Sequence, residues 1–122
     1  MVRKTNETLV AALRALCAGL PAVTQDVKWE EVLVFSVGNK MFATTHTDGS
    51  DSFSFKVDAD HFLELTDRPG IIPAPYMARF RWVRIADPKA LSLEEAIAPV
   101  KRSYQLVFAK LSKKLQREIG HE

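Results

Sequence analysis

The sequence predicts a two-layer α+β domain, in which an antiparallel sheet carries the N- and C-terminal helices on one face. Apolar residues recur at helical spacing near both ends of the chain, and strand-like segments lie between them. These strands follow one another through short turns, whereas parallel pairing would require long crossover connections. At 122 residues the chain is long enough for one domain and too short for two, so 1–122 is interpreted as a single domain.

The first predicted element is an amphipathic helix from about residue 6 to residue 18. Leu9, Leu13 and Cys17 follow one another at i, i+4 spacing, and Gly19-Leu20-Pro21 ends the helix. Cys17 belongs to this apolar stripe, and no histidine or cluster of cations nearby would lower its pKa. We interpret it as a buried structural thiol.

Three strands follow as an antiparallel meander. Residues 32–37 and 40–46 are rich in β-formers and are separated by Gly38-Asn39, the pattern of a two-residue hairpin. After a turn at Asp48–Asp51, residues 52–57 alternate cleanly between apolar and polar side chains. A weaker strand is predicted at Asp26–Trp29.

The second half predicts a helix, a strand and a final helix. Asp58 is expected to cap a short helix through about Leu65, and a strand is expected near Phe80–Ile85. Ser92 and Glu95 have the spacing of a capping box for the last helix. Pro99 lacks an amide donor, so it is expected to kink or restart that helix.

Composition excludes several classes of protein. Hydrophobic content of 47% and charged content of 26% are ordinary for a soluble globular domain. No apolar run reaches the roughly 18 residues of a membrane span, and no signal peptide is apparent. A single cysteine cannot form an internal disulfide, so we expect a cytoplasmic protein, and we expect it to be a monomer.

Charge is distributed unevenly along the chain. Residues 1–67 contain six Lys/Arg against ten Asp/Glu, whereas residues 68–122 contain eleven against five. If the basic residues of the second half converge on one face, an anionic partner is expected.

Three blocks of sequence resemble the MmcQ/YjbR family of small bacterial domains, which has no established reaction. They are Leu33–Ala43, the proline loop Pro69–Tyr76 with Trp82 downstream, and Ser103–Lys114. The resemblance spans nearly the whole chain. It implies a fold like that of the iron-binding frataxins and a "double-wing" arrangement for nucleic acid. Frataxins bind iron through acidic side chains on the first helix, where this chain offers only Glu7.

The first functional hypothesis is therefore weak binding of DNA or another nucleic acid through its phosphates, without reading of base sequence. Its candidate residues are two groups of cations, namely Arg79, Arg81, Arg84, Lys110, Lys113 and Lys114. In a regular strand, Phe80, Trp82 and Arg84 would share one face, and Arg79, Arg81 and Val83 the other. That alternation favours core positions for the two rings.

The alternative hypothesis is a small-ligand or protein-interaction module built on the rigid proline loop, using Pro73, Pro75, Tyr76 and Trp82. The loop is equally explained as a stiff connection in which Ile71 and Ile72 cover the edge of the sheet.

Neither hypothesis includes catalysis or a cofactor. The chain has no glycine-rich phosphate loop or nucleophile elbow. Its histidines, His46, His61 and His121, lie far apart in sequence, and no Cys/His spacing indicates zinc. We therefore expect neither a catalytic nor a metal site.

Overall fold

A computed structural model describes residues 9–47, 52–75 and 77–119 of the chain. The elements in chain order are α1 (Leu9–Ala18), β1 (Val23–Lys28), β2 (Val32–Val37), β3 (Lys40–His46), β4 (Phe53–Lys56), α2 (Ala59–Thr66), β5 (Ile71–Pro73), a 3₁₀ turn (Ala78–Phe80), β6 (Trp82–Ile85), α3 (Leu93–Phe108) and α4 (Lys113–Ile119). The strands form one antiparallel sheet in the order β1-β2-β3-β4-β6-β5. The predicted α+β architecture is confirmed. Within the described ranges, no helix is long and apolar enough to cross a membrane.

The core lies between one face of the sheet and the helices α1 and α3. Strand alternation supplies large rings from the sheet, and the helices supply small and branched side chains that fill the space between them. The fully buried rings are Phe35, Phe42, Phe53 and Phe55. The main helical contributions are Leu13, Cys17, Ala96, Val100 and Val107.

The hairpin of β2 and β3 contains a β-bulge. Phe35 pairs with Ala43 and Ser36 pairs with Met41, so Phe42 is the extra residue. The bulge explains why Phe42 and Ala43 are consecutive and both face the core. Met41, by contrast, lies on the opposite face with Thr44. Strict alternation did not predict this shift.

The turn of this hairpin matches the prediction. Gly38 and Asn39 both have positive φ, at 59° and 66°, as a two-residue turn with left-handed residues requires. A Cβ atom at Gly38 would lie 2.7 Å from Cδ2 of Leu111, in the segment between α3 and α4. Glycine is therefore required twice, by the backbone angle and by the close approach of the C-terminal segment.

The helix ends agree with the sequence in part. Ser92 and Glu95 form the predicted capping box, in which Glu95 N–H donates to Ser92 Oγ at 3.1 Å. Asp58 precedes α2, but its side chain does not cap that helix. Its carboxylate instead accepts from Arg102 Nε at 3.2 Å, an interaction that holds its pKa below the ordinary value. The last helix does not restart at Pro99, since α3 continues through it.

Two boundaries differ from the prediction. The first helix is described from Leu9 to Ala18, and its predicted start near residue 6 lies outside the described residues. β1 covers Val23–Lys28 instead of Asp26–Trp29. The strand expected at Phe80–Ile85 begins only at Trp82, because a 3₁₀ turn precedes it and Arg81 adopts a left-handed φ of 64°. An additional short edge strand, β5, pairs with β6.

The alternation predicted for Trp82, Val83 and Arg84 is present in β6, but the face directed at the core is not the one expected. Val83, which was expected on the side away from the rings, faces the helical core together with Ile85. Trp82 and Arg84 lie on the opposite face of the sheet. Ile71 of β5 is buried, as expected for a residue that covers the sheet edge, but Ile72, for which the same was expected, is exposed.

Candidate functional site

The face of the sheet away from the helices carries the candidate site, and we call it the open face. Because Phe53 and Phe55 point into the core, Ser54 and Lys56 of the same strand must point away from it. Pairing then sets Ser54 opposite Arg84, and Lys56 opposite Trp82. Two adjoining cavities lie here, one on the open face and one where the sheet meets the C-terminal end of α3.

The proline loop folds back over the open face. Backbone N–H of Ala74 donates to the carbonyl oxygen of Trp82 at 2.9 Å, and that of Trp82 donates to Met77 at 3.4 Å. Pro73 and Pro75 fix φ on either side of Ala74, which stiffens this return. As a result Trp82 is only 4% exposed, although it lies on the open face and is not part of the core beneath the helices.

The smaller cavity has a volume of about 430 Å³, and we call it the lysine groove. Three cations line it, from the β2–β3 hairpin, from β4 and from the end of α3. They are Lys40, Lys56 and Lys110. Their stems lie against apolar side chains, namely Met41, Met77, Phe80, Trp82, Leu106 and Val107.

Lys56 is the central cation of this groove. Its Nζ donates to the carbonyl oxygen of Phe80 at 2.9 Å, which ties β4 to the loop before β6. Desolvation by burial lowers the pKa of Lys56, and the positive charges of Lys110 and Arg81 lower it further. Arg81 therefore lies close enough to act on the same groove.

The positive charge of the groove is not neutralised by the protein in the part of the chain that the structure describes. There, none of Lys40, Lys56, Arg81 and Lys110 forms a salt bridge with an aspartate or glutamate. Four cations without a carboxylate partner create a local surplus of positive charge.

An exposed ring and a fifth cation flank the groove. Phe80 is 48% exposed, so the expectation that it lies in the core is wrong. The guanidinium carbon of Arg79 lies 5.0 Å from the centroid of the Phe80 ring, a cation–π arrangement. The pair offers a flat apolar surface next to positive charge.

The predicted cations do not all meet. Arg81 and Lys110 are brought together through Lys56, but Arg84 lines the larger cavity instead. Lys113 and Lys114 are exposed at the start of α4. Among the residues that the structure describes, neither lysine lines the groove or the larger cavity.

The larger cavity has a volume of about 700 Å³, and we call it the arginine pocket. Its polar lining consists of Thr44, His46, Ser54 and Arg84. Its remaining lining consists of Trp29, Val32, Met41, Ala74, Pro75, Met77 and Trp82. Arg84 Nε donates to Ser54 Oγ at 3.5 Å. His46 Nδ1 and Ser52 Oγ are 3.2 Å apart.

The loop residues of the alternative hypothesis are divided. Pro75 and Trp82 line the arginine pocket, whereas Pro73 ends β5 and lines neither cavity. Tyr76 lies outside the described residues, as do His121 and the turn predicted at Asp48–Asp51.

Sequence reasoning missed Lys40, Lys56 and Trp29 as site residues. Alternation with Phe53 and Phe55 was the available signal for Lys56, because it sets this lysine on the open face. No comparable signal marked Lys40 or Trp29, because their positions depend on the bulge and on the turn between β1 and β2.

No group of three or more His, Cys, Asp or Glu side chains is arranged to hold a metal ion among the residues that the structure describes. Cys17, the sole cysteine, is fully buried in the core, where desolvation raises the pKa of its thiol to about 12.

Comparisons with known proteins agree with this architecture. The structure is similar to that of Deinococcus radiodurans protein DR2400, which has a DUF419 family-model domain, with 28% identity and a TM-score of 0.80 over 93% of this chain and 89% of that one. A Pseudomonas syringae protein solved by structural genomics shares the fold, with 23% identity and a TM-score of 0.56 over 70% of this chain and 86% of that one. No curated protein matches significantly. The model of the YjbR family matches residues 18–106. The chain therefore belongs to the YjbR family.

Proposed function

We propose that this protein binds nucleic acid through phosphate contacts, without reading base sequence, at the lysine groove. The observation that carries the proposal is the convergence of Lys40, Lys56 and Lys110 around one concave surface, with Arg81 close enough to act on Lys56. None of the four has a carboxylate partner in the described residues. Phosphate groups are the anions that such clusters of lysine and arginine recognise.

The repulsion within the cluster supports this function. Desolvation by burial lowers the pKa of Lys56, and the positive charges of Lys110 and Arg81 lower it further, so the folded protein holds these like charges close together. A phosphate in the groove would relieve that repulsion. The protein alone supplies no such relief among its described side chains.

Single strands fit the groove better than duplexes. Phe80 is exposed beside the groove and offers a face on which a base can stack, whereas stacked duplex bases present only their edges. Stacking accepts every base, so it adds affinity without sequence preference. The residues assigned to the interface are Lys40, Lys56, Arg79, Phe80, Arg81 and Lys110, and no catalytic step is included.

The test is binding of a fluorescent single-stranded oligonucleotide and of its duplex at about 50 and 200 mM salt, conditions between which phosphate-driven affinity falls steeply. Five contacting cations predict a slope of log K against log salt of about −3.5, since each phosphate contact to a single strand contributes roughly −0.7. Lys110→Gln and Arg81→Gln should each lower the magnitude of that slope by about 0.7, the contribution of one contact.

A matched control is Lys89→Gln, which makes the same change in net charge. Lys89 precedes the N-terminus of α3, whereas Lys110 follows its C-terminus. The 16 residues of this helix separate the two sites by roughly 24 Å. The proposal is overturned if nothing binds at the lower salt, if affinity does not depend on salt, or if Lys89→Gln weakens binding as much as Lys110→Gln.

A further inference from the structure

The arginine pocket has a different chemistry from that of the lysine groove, and nucleic-acid binding does not explain it. Its volume of about 700 Å³ lies within the roughly 300–1,000 Å³ of typical small-molecule sites. Its lining is mostly apolar, with a few polar groups on neighbouring strands. We propose that it binds a small aromatic carboxylic acid, with the carboxylate on Arg84 and the flat ring against Trp82.

Arg84 has the geometry of a carboxylate receptor. It lies on β6, directly opposite Ser54 of β4, which in turn lies opposite Thr44 of β3. These three polar side chains form a row across the middle of the sheet, on the face away from the core.

Most N–H donors of the Arg84 guanidinium have no acceptor among the described residues. Of its five N–H groups, one is directed at an acceptor in the described residues, Ser54 Oγ, at the long distance of 3.5 Å. Arg84 is half-buried and forms no salt bridge with a described carboxylate. A planar fork of this kind matches the two oxygens of a carboxylate.

The rest of the lining fits a flat apolar body. Trp82 offers a large ring that is held rigid under the proline loop, and Ala74 and Pro75 add aliphatic surface from that loop. Met41 and Met77 have flexible, polarisable side chains that adapt to the outline of an aromatic ring. Aromatic rings stack on such surfaces with a preference beyond the area they bury.

Trp29 provides a second ring in the lining of the pocket, and its backbone is strained. It is 70% exposed and lies in the turn between β1 and β2, where it and Glu30 have φ of 50° and 68°. Two consecutive non-glycine residues in this region cost about 1–3 kcal/mol each. A strained, exposed tryptophan that lines a pocket is the arrangement expected where a ring contacts a ligand.

An aromatic carboxylate fits these groups better than a phosphate does. A chain of phosphates would need several cations, and these line the lysine groove, whereas the arginine pocket has one arginine. The single fork of Arg84 pairs with a single carboxylate, and the apolar walls favour a ligand whose remainder is uncharged.

The test is titration of the protein with 2-naphthoate and with its neutral analogue 2-naphthamide, followed by tryptophan fluorescence and by the indole N–H signals of Trp29 and Trp82 in NMR spectra. We expect saturable binding of 2-naphthoate that is about tenfold tighter than that of the amide, because a charged hydrogen bond is lost with the amide. Both indole signals should shift.

Arg84→Gln should weaken 2-naphthoate binding about tenfold and leave 2-naphthamide binding unchanged, so that the preference for the acid disappears. Arg84→Lys keeps the charge without the fork and should give an intermediate affinity, which keeps the test decisive if the glutamine variant does not fold. Arg79→Gln and Lys110→Gln should leave both affinities unchanged, which separates this site from the nucleic-acid interface. Equal affinity for acid and amide, no saturation below about 1 mM acid, or unchanged affinity in a folded Arg84→Gln protein would overturn the proposal.

Discussion

Ser103 donates its hydroxyl hydrogen to the carbonyl oxygen of Phe42 at 2.6 Å, and its oxygen accepts the backbone N–H of Lys56 at 3.0 Å. Phe42 is the extra residue of the β-bulge, so its backbone group is outside the regular ladder. Ser103 is fully buried on α3. One hydroxyl therefore joins the helix to two neighbouring strands and satisfies the irregularity between them.

Ser103→Ala should lower the free energy of unfolding by about 1–3 kcal/mol, because it leaves two backbone groups of the sheet without their partner in a buried place. Urea denaturation followed by circular dichroism measures this change. Ser36→Ala is the matched control, since Ser36 makes no hydrogen bond through its hydroxyl within the described residues, and it should change stability by no more than about 0.5 kcal/mol. Equal effects of the two substitutions would contradict the role given to Ser103.

Gly38→Ala should be more destabilising than Asn39→Ala, although both positions have positive φ. Each alanine meets the left-handed cost of about 1–2 kcal/mol, although Asn39 already bears part of it. Only the Cβ at Gly38 would also lie 2.7 and 2.8 Å from the two terminal carbons of Leu111. Leu111 is 6% exposed and must move with its surroundings. Thermal unfolding of the two variants decides the order, and a larger loss at Asn39 would contradict the contact.

Cys17 should be protected from thiol reagents in the folded protein. It is 0% exposed, and burial raises the pKa of its thiol to about 12. At neutral pH a disulfide reagent should react roughly 10³-fold more slowly with the folded protein than with the protein in denaturant, as expected for a domain of ordinary stability. Rapid labelling of the folded protein would contradict this burial.

The same thiol should make the protein less stable at alkaline pH. The unfolded chain loses the thiol proton above the ordinary pKa of 9.0, whereas the folded chain keeps it until about 12. Stability from this group is complete below pH 9.0 and falls across this window as pH rises, by at most about 1.4 kcal/mol per pH unit. Unfolding measured from pH 8 to 11 in the wild type and in Cys17→Ala isolates the effect, since the other groups are common to both. Parallel curves would contradict it.

The pKa of Lys56 should change when the charges around it change. Its pKa in the folded protein lies below the ordinary value of 10.5, and Lys110→Gln should raise it because one positive neighbour is removed. Binding of an oligonucleotide should also raise it, so affinity should fall as pH increases through the pKa of the unbound protein. NMR titration of the lysine side chain measures each effect. A pKa that Lys110→Gln leaves unchanged would contradict the proximity of the two lysines.

The sequence predicted those parts of the fold that depend on neighbouring residues. The Gly38-Asn39 turn and the capping box of Ser92 and Glu95 are local patterns, and both are present. Phe80 was assigned to the wrong environment because alternation assumes a continuous strand, and the left-handed Arg81 ends that regularity one residue before Trp82.

The candidate sites depend on contacts between distant segments. Lys56 and Lys110 meet because the end of α3 packs near β4, and residue charge alone does not reveal that packing. The arginine pocket likewise needs the proline loop to return over Trp82 through backbone hydrogen bonds. The sequence predicted that this loop is rigid, but not the face of the sheet on which it would lie.

The β-bulge at Phe42 sets the face of the sheet on which the residues before and after it lie. Met41 on its turn side and Thr44 on its other side both line the arginine pocket, although strict alternation would set these residues on opposite faces. If the same residues paired without the bulge and Thr44 kept its face, Met41 would turn to the core and Phe42 to the open face. The bulge therefore determines which of these two side chains enters the core, a choice that in a regular strand follows from alternation alone.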